Sequence, residues 1–209
     1  MSLGSIKEIF IDFISTELNI DMDKVLNIYQ YGSHVYGNAN PDSDFDFNIV
    51  YKAALLENGS FKNNAISNDN HTIQAVCYSR SGFIDAINNY EIGALECLFL
   101  PDEMVIQKKW DFKIQKFVVK DMIRKIISKA SDSWYVAIKR NQNDDIIAAK
   151  KGVYHALRIL EFGLQLKEYQ KIVDYAVTND LKTKIMLDAD FNSSNYLPMR
   201  DELIDKLKH

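Results

Sequence analysis

The amino-acid sequence predicts an α+β fold, in which a small mixed β-sheet flanked by helices is followed by a helical bundle. Up to about residue 110, short apolar runs rich in β-branched and aromatic residues are separated by Asn, Asp and Gly, which is typical of strands and turns. Beyond that point, apolar residues recur at helical spacing. The 209 residues are 47% apolar and 26% charged, which is enough for packed cores. We therefore expect two domains, residues 1–110 and residues 111–209.

The elements of the first half follow from these patterns. Apolar residues at helical spacing predict an amphipathic helix over residues 5–19. The β-rich runs predict strands at Val25–Tyr31, Phe45–Tyr51, Thr72–Tyr78 and Met104–Gln107. The polar stretch over residues 57–70 predicts a long hairpin loop or a poorly ordered excursion. Ser81 is the expected cap of a short helix through Asn89, and residues 94–100 form a further apolar segment.

The second half is predicted to be helical throughout. One helix begins near Phe117 and either continues or restarts through Ile138. Asp144 is the expected N-cap of a longer helix that runs to about Leu166. Two weaker helices are expected over residues 168–187 and 198–208, with a turn at residues 192–195.

Composition excludes several classes of protein. The net charge of −4 and the pI of about 5.6 argue against a strong general nucleic-acid surface. No apolar run approaches the roughly 20 residues that a membrane span needs, so we expect no membrane partner. Cys77 and Cys97 lie in apolar runs, which favours reduced core thiols and a cytoplasmic location. Spacings typical of zinc, P-loop and dinucleotide-binding sites are lacking.

The window YGSHVYGNANPDSDFDFNIV, residues 31–50, carries the chemistry. A strand ends at Gly32, Ser33 begins a short helix that ends at Gly37, and a loop leads to Asp44 and Asp46. Because alternate residues of a strand share a face, these two carboxylates point the same way. Two carboxylates so close repel each other unless a cation lies between them, and hard oxygen ligands suit Mg²⁺. The glycine and the amides of the turn offer a phosphate site.

Each part of this window has an ordinary structural interpretation as well. Gly-Ser pairs are common in turns, and an Asp-x-Asp motif is most often a solvated strand end or a cap. The combination of all parts in one order is much more specific. A phosphate site beside a Mg²⁺ site is the arrangement that nucleotidyl transfer requires.

The window resembles the Gly-Ser and Asp-x-Asp signature of the DNA polymerase β-type nucleotidyltransferase superfamily. The chain is most similar to the predicted nucleotidyltransferases of the RNA-repair-pathway group, through YSRSGF (78–83), FIDAINNYEIGALECLFLPDE (83–103) and KKGVYHALRILEFG (150–163). The resemblance implies a palm-like catalytic domain over residues 1–110 and a helical domain over 111–209. It also implies a two-metal Mg²⁺ site and transfer of a nucleoside monophosphate from an NTP. The acceptor is open, since RNA ends, proteins and small molecules all suit this fold.

The resemblance also assigns residues. Gly32 and Ser33 would bind the triphosphate, and Asp44 and Asp46 would act in catalysis as metal ligands. The third carboxylate of the family aligns with Gln74, and a neutral amide can neither add charge nor act as a base. Other acids are candidates to approach the site: Asp69 just before that strand, and Glu91 and Glu96 just after the following helix. Of these, we expect Glu96 to be structural or to contact substrate.

A second set of residues lies on the long helix. Lys151, His155 and Arg158 share a face that differs from the apolar stripe, and the resemblance assigns them to the nucleotide as triphosphate-binding cations. An ordinary solvated face is the alternative. Two other hypotheses stay open for the whole chain: a nucleotide-binding regulator that has lost turnover, and an interaction protein in which the two aspartates cap a strand.

Overall fold

A computed structural model describes the backbone of residues 8, 11–12, 15, 21–41, 43–52, 61–68 and 71–209, and the side chains of the same residues except 61–68 and 71–73. The chain forms two compact units. The sheet unit comprises residues 1–88 and 93–114, and the helical unit comprises residues 89–92 and 115–209. The expected domain boundary at residue 110 stays a prediction. Of the helix expected over residues 5–19, the described residues are helical, and the others lie outside the described part of the chain.

The sheet unit is built on a five-stranded mixed sheet, which confirms the predicted fold class. Its strands are β1 (Val25–Tyr31), β2 (Phe45–Tyr51), β3 (Phe61–Asn68), β4 (His71–Ser79) and β5 (Val105–Lys108), in the order β3-β4-β2-β1-β5. The pairing of β2 with β4 is parallel, and the other three pairings are antiparallel. Strands β1 and β2 are therefore central, and their ends define where a site can form.

The central strands are apolar because both of their faces are covered. In β1 every residue from Val25 to Gln30 is buried, and β2 buries all of its residues except Asp46. Phe45 and Phe47 lie in the sheet core, as the alternation of the sequence predicts. Cys77 and Cys97 are both buried and unbridged, which confirms that they are core thiols.

One loop prediction is wrong. Residues 61–68, within the stretch predicted as a loop or excursion, form strand β3, which pairs with β4 at the edge of the sheet. Its sequence is polar because an edge strand is held by main-chain hydrogen bonds on one side and needs no continuous apolar run. Residues 57–60 and 69–70 of the same prediction lie outside the described residues.

Helix α1 (Arg80–Asn88) begins two residues earlier than the predicted cap at Ser81 implies. The hydroxyl of Ser79 accepts a hydrogen bond from the Gly82 amide at 3.0 Å, so Ser79 rather than Ser81 occupies the capping position. The apolar segment predicted over residues 94–100 overlaps α2 (Ile92–Leu98), which begins two residues earlier.

The helical unit consists mainly of α3 (Val119–Gln142), α4 (Ile146–Tyr169), α5 (Asn179–Leu187) and α6 (Leu197–Lys208). Helix α3 is continuous, which resolves the alternative between one helix and two. A Cβ added to Gly152 would lie 2.8 Å from the Ala137 Cβ, so α3 and α4 approach closely through small residues.

The N-cap of α4 is Asp145, whose carboxylate accepts from the Ala148 amide at 3.3 Å. The predicted cap, Asp144, instead has φ +59°, a left-handed conformation that ends the preceding turn. Asp144 therefore ends the turn that follows α3, and Asp145 caps the start of α4.

Candidate active site

The Asp-x-Asp motif is placed by the start of β2. Asp44 directly precedes this strand and Asp46 is its second residue, and both are partly exposed. Phe45 and Phe47 turn inward, with exposed fractions of 6% and 0%. Since the strand alternates, the two carboxylates share the outer face, as predicted.

Gly32 brings the Gly-Ser corner against this acid pair. It follows the last residue of β1, Tyr31, which is paired with Asp46 across the sheet. Gly32 has φ +79°, and a Cβ built on it would lie only 2.2 Å from Oδ2 of Asp46. The glycine is therefore required twice, by its backbone conformation and by the carboxylate beside it. The Gly-Ser corner and the Asp-x-Asp motif, fourteen residues apart in sequence, form one local structure.

The turn after Gly32 is shorter than a regular helix. Gly32–His34 form a single 3₁₀ turn, and the amides of Val35 and Tyr36 donate to the Gly32 carbonyl at 3.0 and 3.1 Å. The amides of Val35 and Tyr36 are therefore occupied within the turn itself.

The acid pair is electrostatically strained. Burial, and then the charge of Asp44, raise the pKa of Asp46 to about 6. Holding both carboxylates ionised at neutral pH thus costs free energy, and a bound cation would remove that cost. This is the observation that fits Mg²⁺ to the donor set of Asp44 and Asp46.

Gln74 lies beside the acid pair, on the neighbouring strand. It is in register with Asp46 across the parallel β2–β4 pairing, and its side-chain amide donates to Oδ2 of Asp44 at 3.0 Å. Within the described part of the chain, no group of three or more acids, His or Cys is arranged to hold a metal ion. A neutral amide, that of Gln74, therefore lies beside Asp44 and Asp46 at the position where the resemblance implies a third acid.

Two contacts hold the loop that links the corner to the acid pair. The His34 ring stacks on Phe45 with centroids 4.1 Å apart, and the Tyr36 hydroxyl donates to the carboxylate of Glu96. Glu96 is only 4% exposed, and its carboxylate holds the loop through Tyr36, which is a structural role. The only sequence signal for this role is a single Glu within an apolar run. Neither contact was predicted, because each joins residues that are distant in sequence.

The predicted cations lie in the helical unit, on α4. Arg158 is buried, and its guanidinium donates to Nδ1 of His155 at 2.8 Å. Burial, Arg158 and Lys129 lower the pKa of His155 to about 3, so this ring is neutral at pH 7. The expectation of three cations is corrected to two, Lys151 and Arg158, with His155 as the acceptor that orients the guanidinium. Because Arg158 is buried, the alternative of a merely solvated face does not describe it.

The seven predicted residues therefore form two sets. Gly32, Ser33, Asp44 and Asp46 are brought together in the sheet unit, and Lys151, His155 and Arg158 are brought together in the helical unit. Among the helices that the structure describes, none combines the length and apolar character that crossing a bilayer requires.

Comparison with known families decides the classification. The model of the nucleotidyltransferase domain family matches residues 10–132, which is more than half of the chain and includes the whole acid-pair region. The chain belongs to the nucleotidyltransferase domain family. The predicted relationship to the polymerase β-type superfamily is confirmed, whereas the RNA-repair-pathway group stays a prediction.

One solved structure agrees with this nucleotidyltransferase at the level of the fold, and a second is similar to a lesser degree. A spectinomycin adenyltransferase AAD(9) from Enterococcus faecialis, crystallised with ATP and spectinomycin, is 12% identical with a TM-score of 0.51, over 98% of this chain and 99% of that chain. A nucleotidyltransferase-like protein from Exiguobacterium sibiricum 255-15 is 11% identical with a TM-score of 0.40, over 98% of this chain and 73% of that chain. A search of the curated proteins gave no match.

Proposed function

We propose that this nucleotidyltransferase transfers a nucleoside monophosphate from an NTP to a hydroxyl acceptor, with release of pyrophosphate and dependence on Mg²⁺. The observation that carries the proposal is the contact between Gly32 and Asp46, since a side chain at residue 32 would strike the carboxylate at 2.2 Å. A phosphate that approaches the glycine thereby also approaches the acid pair. Membership of the nucleotidyltransferase family supports the reaction class.

Asp44 and Asp46 are assigned to the metal, and Gly32 with the amides around Ser33 to the phosphates. When bound, Mg²⁺ would supply positive charge for the triphosphate and for the charge that develops during transfer. We assign Lys151 and Arg158 to phosphate oxygens, and His155 to holding the Arg158 guanidinium in place. The acceptor oxygen forms a bond to the α-phosphorus, the bond between the α-phosphorus and the bridging oxygen breaks, and the acceptor proton is released.

The experiment is transfer from labelled NTPs in Mg²⁺ to a panel of acceptors that includes RNA, protein and small alcohols, spectinomycin among them. We expect label in one acceptor and equimolar pyrophosphate. The Asp44→Ala/Asp46→Ala variant should lose transfer, because both metal ligands are removed. The matched control is Asp85→Ala, an exposed acid on α1. Transfer that survives in the double variant would refute the assigned site.

The neutral Gln74 favours a second function: a nucleotide-binding regulator of the same fold. The amide adds no charge and donates to Asp44, so it would weaken metal binding compared with a carboxylate. Calorimetry separates the two functions. Mg²⁺-dependent binding of NTP without pyrophosphate release across the acceptor panel would favour the regulator.

A further inference from the structure

Helix α2 contacts both halves of the candidate site through two neighbouring residues. The carboxylate of Glu96 accepts a hydrogen bond from the Tyr36 hydroxyl, and the Tyr36 amide donates to the Gly32 carbonyl at 3.1 Å. The next residue, Cys97, accepts at Sγ from the side-chain amide of Asn48 at 3.0 Å. One short helix is therefore joined to the Gly-Ser corner through Tyr36 and to strand β2 through Asn48.

The contact on β2 lies close to the acid pair. Asn48 follows Asp46 by two residues, so the alternation of the strand places both side chains on the same face of the sheet. The corner is close to the same helix, because burial, then the charge of Asp46, and more weakly that of Glu96 raise the pKa of Tyr31, the residue before the corner. The corner, the acid pair and α2 thus meet on one face of the sheet.

The hydrogen bond between Tyr36 and Glu96 is not the pairing that stability alone would favour. Both residues are 4% exposed, and the neighbours of Glu96 on α2, Leu95 and Cys97, are 0% and 2% exposed. Removing a carboxylate from water costs free energy, and well-packed apolar side chains in place of a buried polar pair often leave a protein equally stable or more so. A hydrogen bond, unlike an apolar contact, fixes the distance and the direction of its two partners.

We propose that Glu96 is a positioning residue, which acts through Tyr36 to hold the turn after Gly32 at a fixed place beside Asp46. A phosphate at the corner and a metal on the acid pair can belong to one NTP only if the turn and β2 keep a constant separation. The choice of ligand rests on the proposed function, in which an NTP is the substrate. The new element is a buried acid of α2 that orders the corner from behind.

Hydrogen exchange of the full chain without ligand tests whether this hydrogen bond orders the turn. Tyr36→Phe removes the hydroxyl, and we expect the amides of residues 35 and 36, which donate to Gly32, to exchange about tenfold faster because the turn opens more easily. The matched control is Tyr51→Phe. Tyr51 is also buried, and its hydroxyl donates to Cys77 Sγ at 3.3 Å on the other face of the sheet. It should leave both amides within about twofold.

The double variant Tyr36→Phe/Glu96→Leu separates positioning from stability. It replaces the polar pair by an apolar pair, so its urea midpoint should lie near that of the natural chain. Its affinity for ATP with Mg²⁺, measured by calorimetry, should nevertheless be about tenfold weaker, because the turn is no longer joined to α2. Tyr51→Phe should bind ATP with Mg²⁺ within about twofold of the natural chain.

Two outcomes would overturn the proposal: unchanged exchange of the two amides in Tyr36→Phe, or the natural affinity for ATP with Mg²⁺ in the double variant. Failure of the proposed function gives a different result. Absence of transfer to every acceptor, together with ATP binding that weakens in the double variant and faster exchange in Tyr36→Phe, would refute transfer and support the positioning role of Glu96.

Discussion

The sheet unit and the helical unit each gather charges of one sign, and they do so by different means. In the sheet unit, strand alternation and a glycine place Asp44 and Asp46 together, so the backbone determines their position. In the helical unit, Arg158 is held by aromatic rings and a neutral histidine, so side-chain packing determines it. Backbone-determined sites are recognisable in a short stretch of sequence, whereas packing-determined sites depend on residues from several helices.

The largest effect is expected where the backbone is altered. Gly32→Ala places a Cβ at 2.2 Å from Oδ2 of Asp46 and puts a side chain at φ +79°, so the carboxylate or the turn must move. We expect transfer to fall by about 100-fold or more, since displacement of a ligand costs several kcal/mol of transition-state stabilisation. The measurement is the steady-state rate of transfer.

Gly93→Ala is the matched control, because a Cβ there has no heavy atom within 4 Å. It should leave the rate within about twofold. Equal rates for Gly32→Ala and the natural chain would show that the corner tolerates a side chain and that its contact with Asp46 is irrelevant.

A carboxylate in place of Gln74 should strengthen Mg²⁺ binding, because it makes the group of acids around Asp44 and Asp46 more negative. Gln74→Asp adds a carboxylate in register with Asp46, and we expect calorimetry to show Mg²⁺ affinity higher by about tenfold. Gln74→Asn keeps the neutral amide and should show no gain. If the aspartate variant binds Mg²⁺ no better than the asparagine variant, residue 74 does not face the metal.

The raised pKa of Asp46 predicts that its ionised carboxylate lowers the free energy of unfolding of the metal-free protein at neutral pH. Asp46→Asn should stabilise it against urea at pH 7 by about 1–2 kcal/mol, once partial solvation is taken into account. Because the folded state holds the Asp46 proton more tightly than the unfolded chain does, protonated Asp46 contributes to folding stability. This contribution is complete below the ordinary pKa of 3.8 and is lost as pH rises through the raised pKa of about 6.

The gain from Asp46→Asn should therefore shrink as the pH of the unfolding experiment is lowered from 7 towards 4. Asp85→Asn, at an exposed position of α1, should change stability by no more than about 0.5 kcal/mol. Destabilisation by Asp46→Asn at pH 7 would mean that the two carboxylates are not in conflict.

The smallest effect is expected from the histidine of the helical unit, and its pH dependence has the opposite sign. The pKa of His155 is lowered from 6.5 to about 3, so the unfolded chain binds this proton first and stability falls as pH drops below 6.5. His155→Gln should reduce the loss of stability between pH 7 and pH 5 by about 1 kcal/mol.

Urea unfolding at both pH values measures this effect, with His209→Gln at the exposed C-terminal residue as the control. The same loss of stability in His155→Gln as in the natural chain would show that this ring is not buried in its neutral form.

The same contrast explains what the sequence could predict. The strands β1 and β2, the same-face placement of Asp44 and Asp46, and the inward Phe45 and Phe47 all follow from a period of two. The position of Gln74 beside the acid pair followed from the family resemblance, and the register confirms that the two are adjacent.

Other features lay beyond local patterns. Strand β3 is polar because it forms the sheet edge, and only its pairing with β4 reveals it. The tie between Tyr36 and Glu96 joins residues 60 positions apart. The lowered pKa of His155 comes first from burial, then from the charge of Arg158 and that of Lys129 on another helix, and a helical projection of α4 alone shows neither the burial nor Lys129.

Binding of a metal to the acid pair is the central claim, and it can be measured without knowing the acceptor. Titration of the full chain with Mn²⁺ in the absence of nucleotide, followed by electron paramagnetic resonance, counts the metal bound to the protein directly. The account predicts saturable binding that Asp44→Asn/Asp46→Asn abolishes and that Asp85→Asn leaves unchanged. Equal Mn²⁺ binding by the natural chain and the Asp44→Asn/Asp46→Asn variant would contradict it.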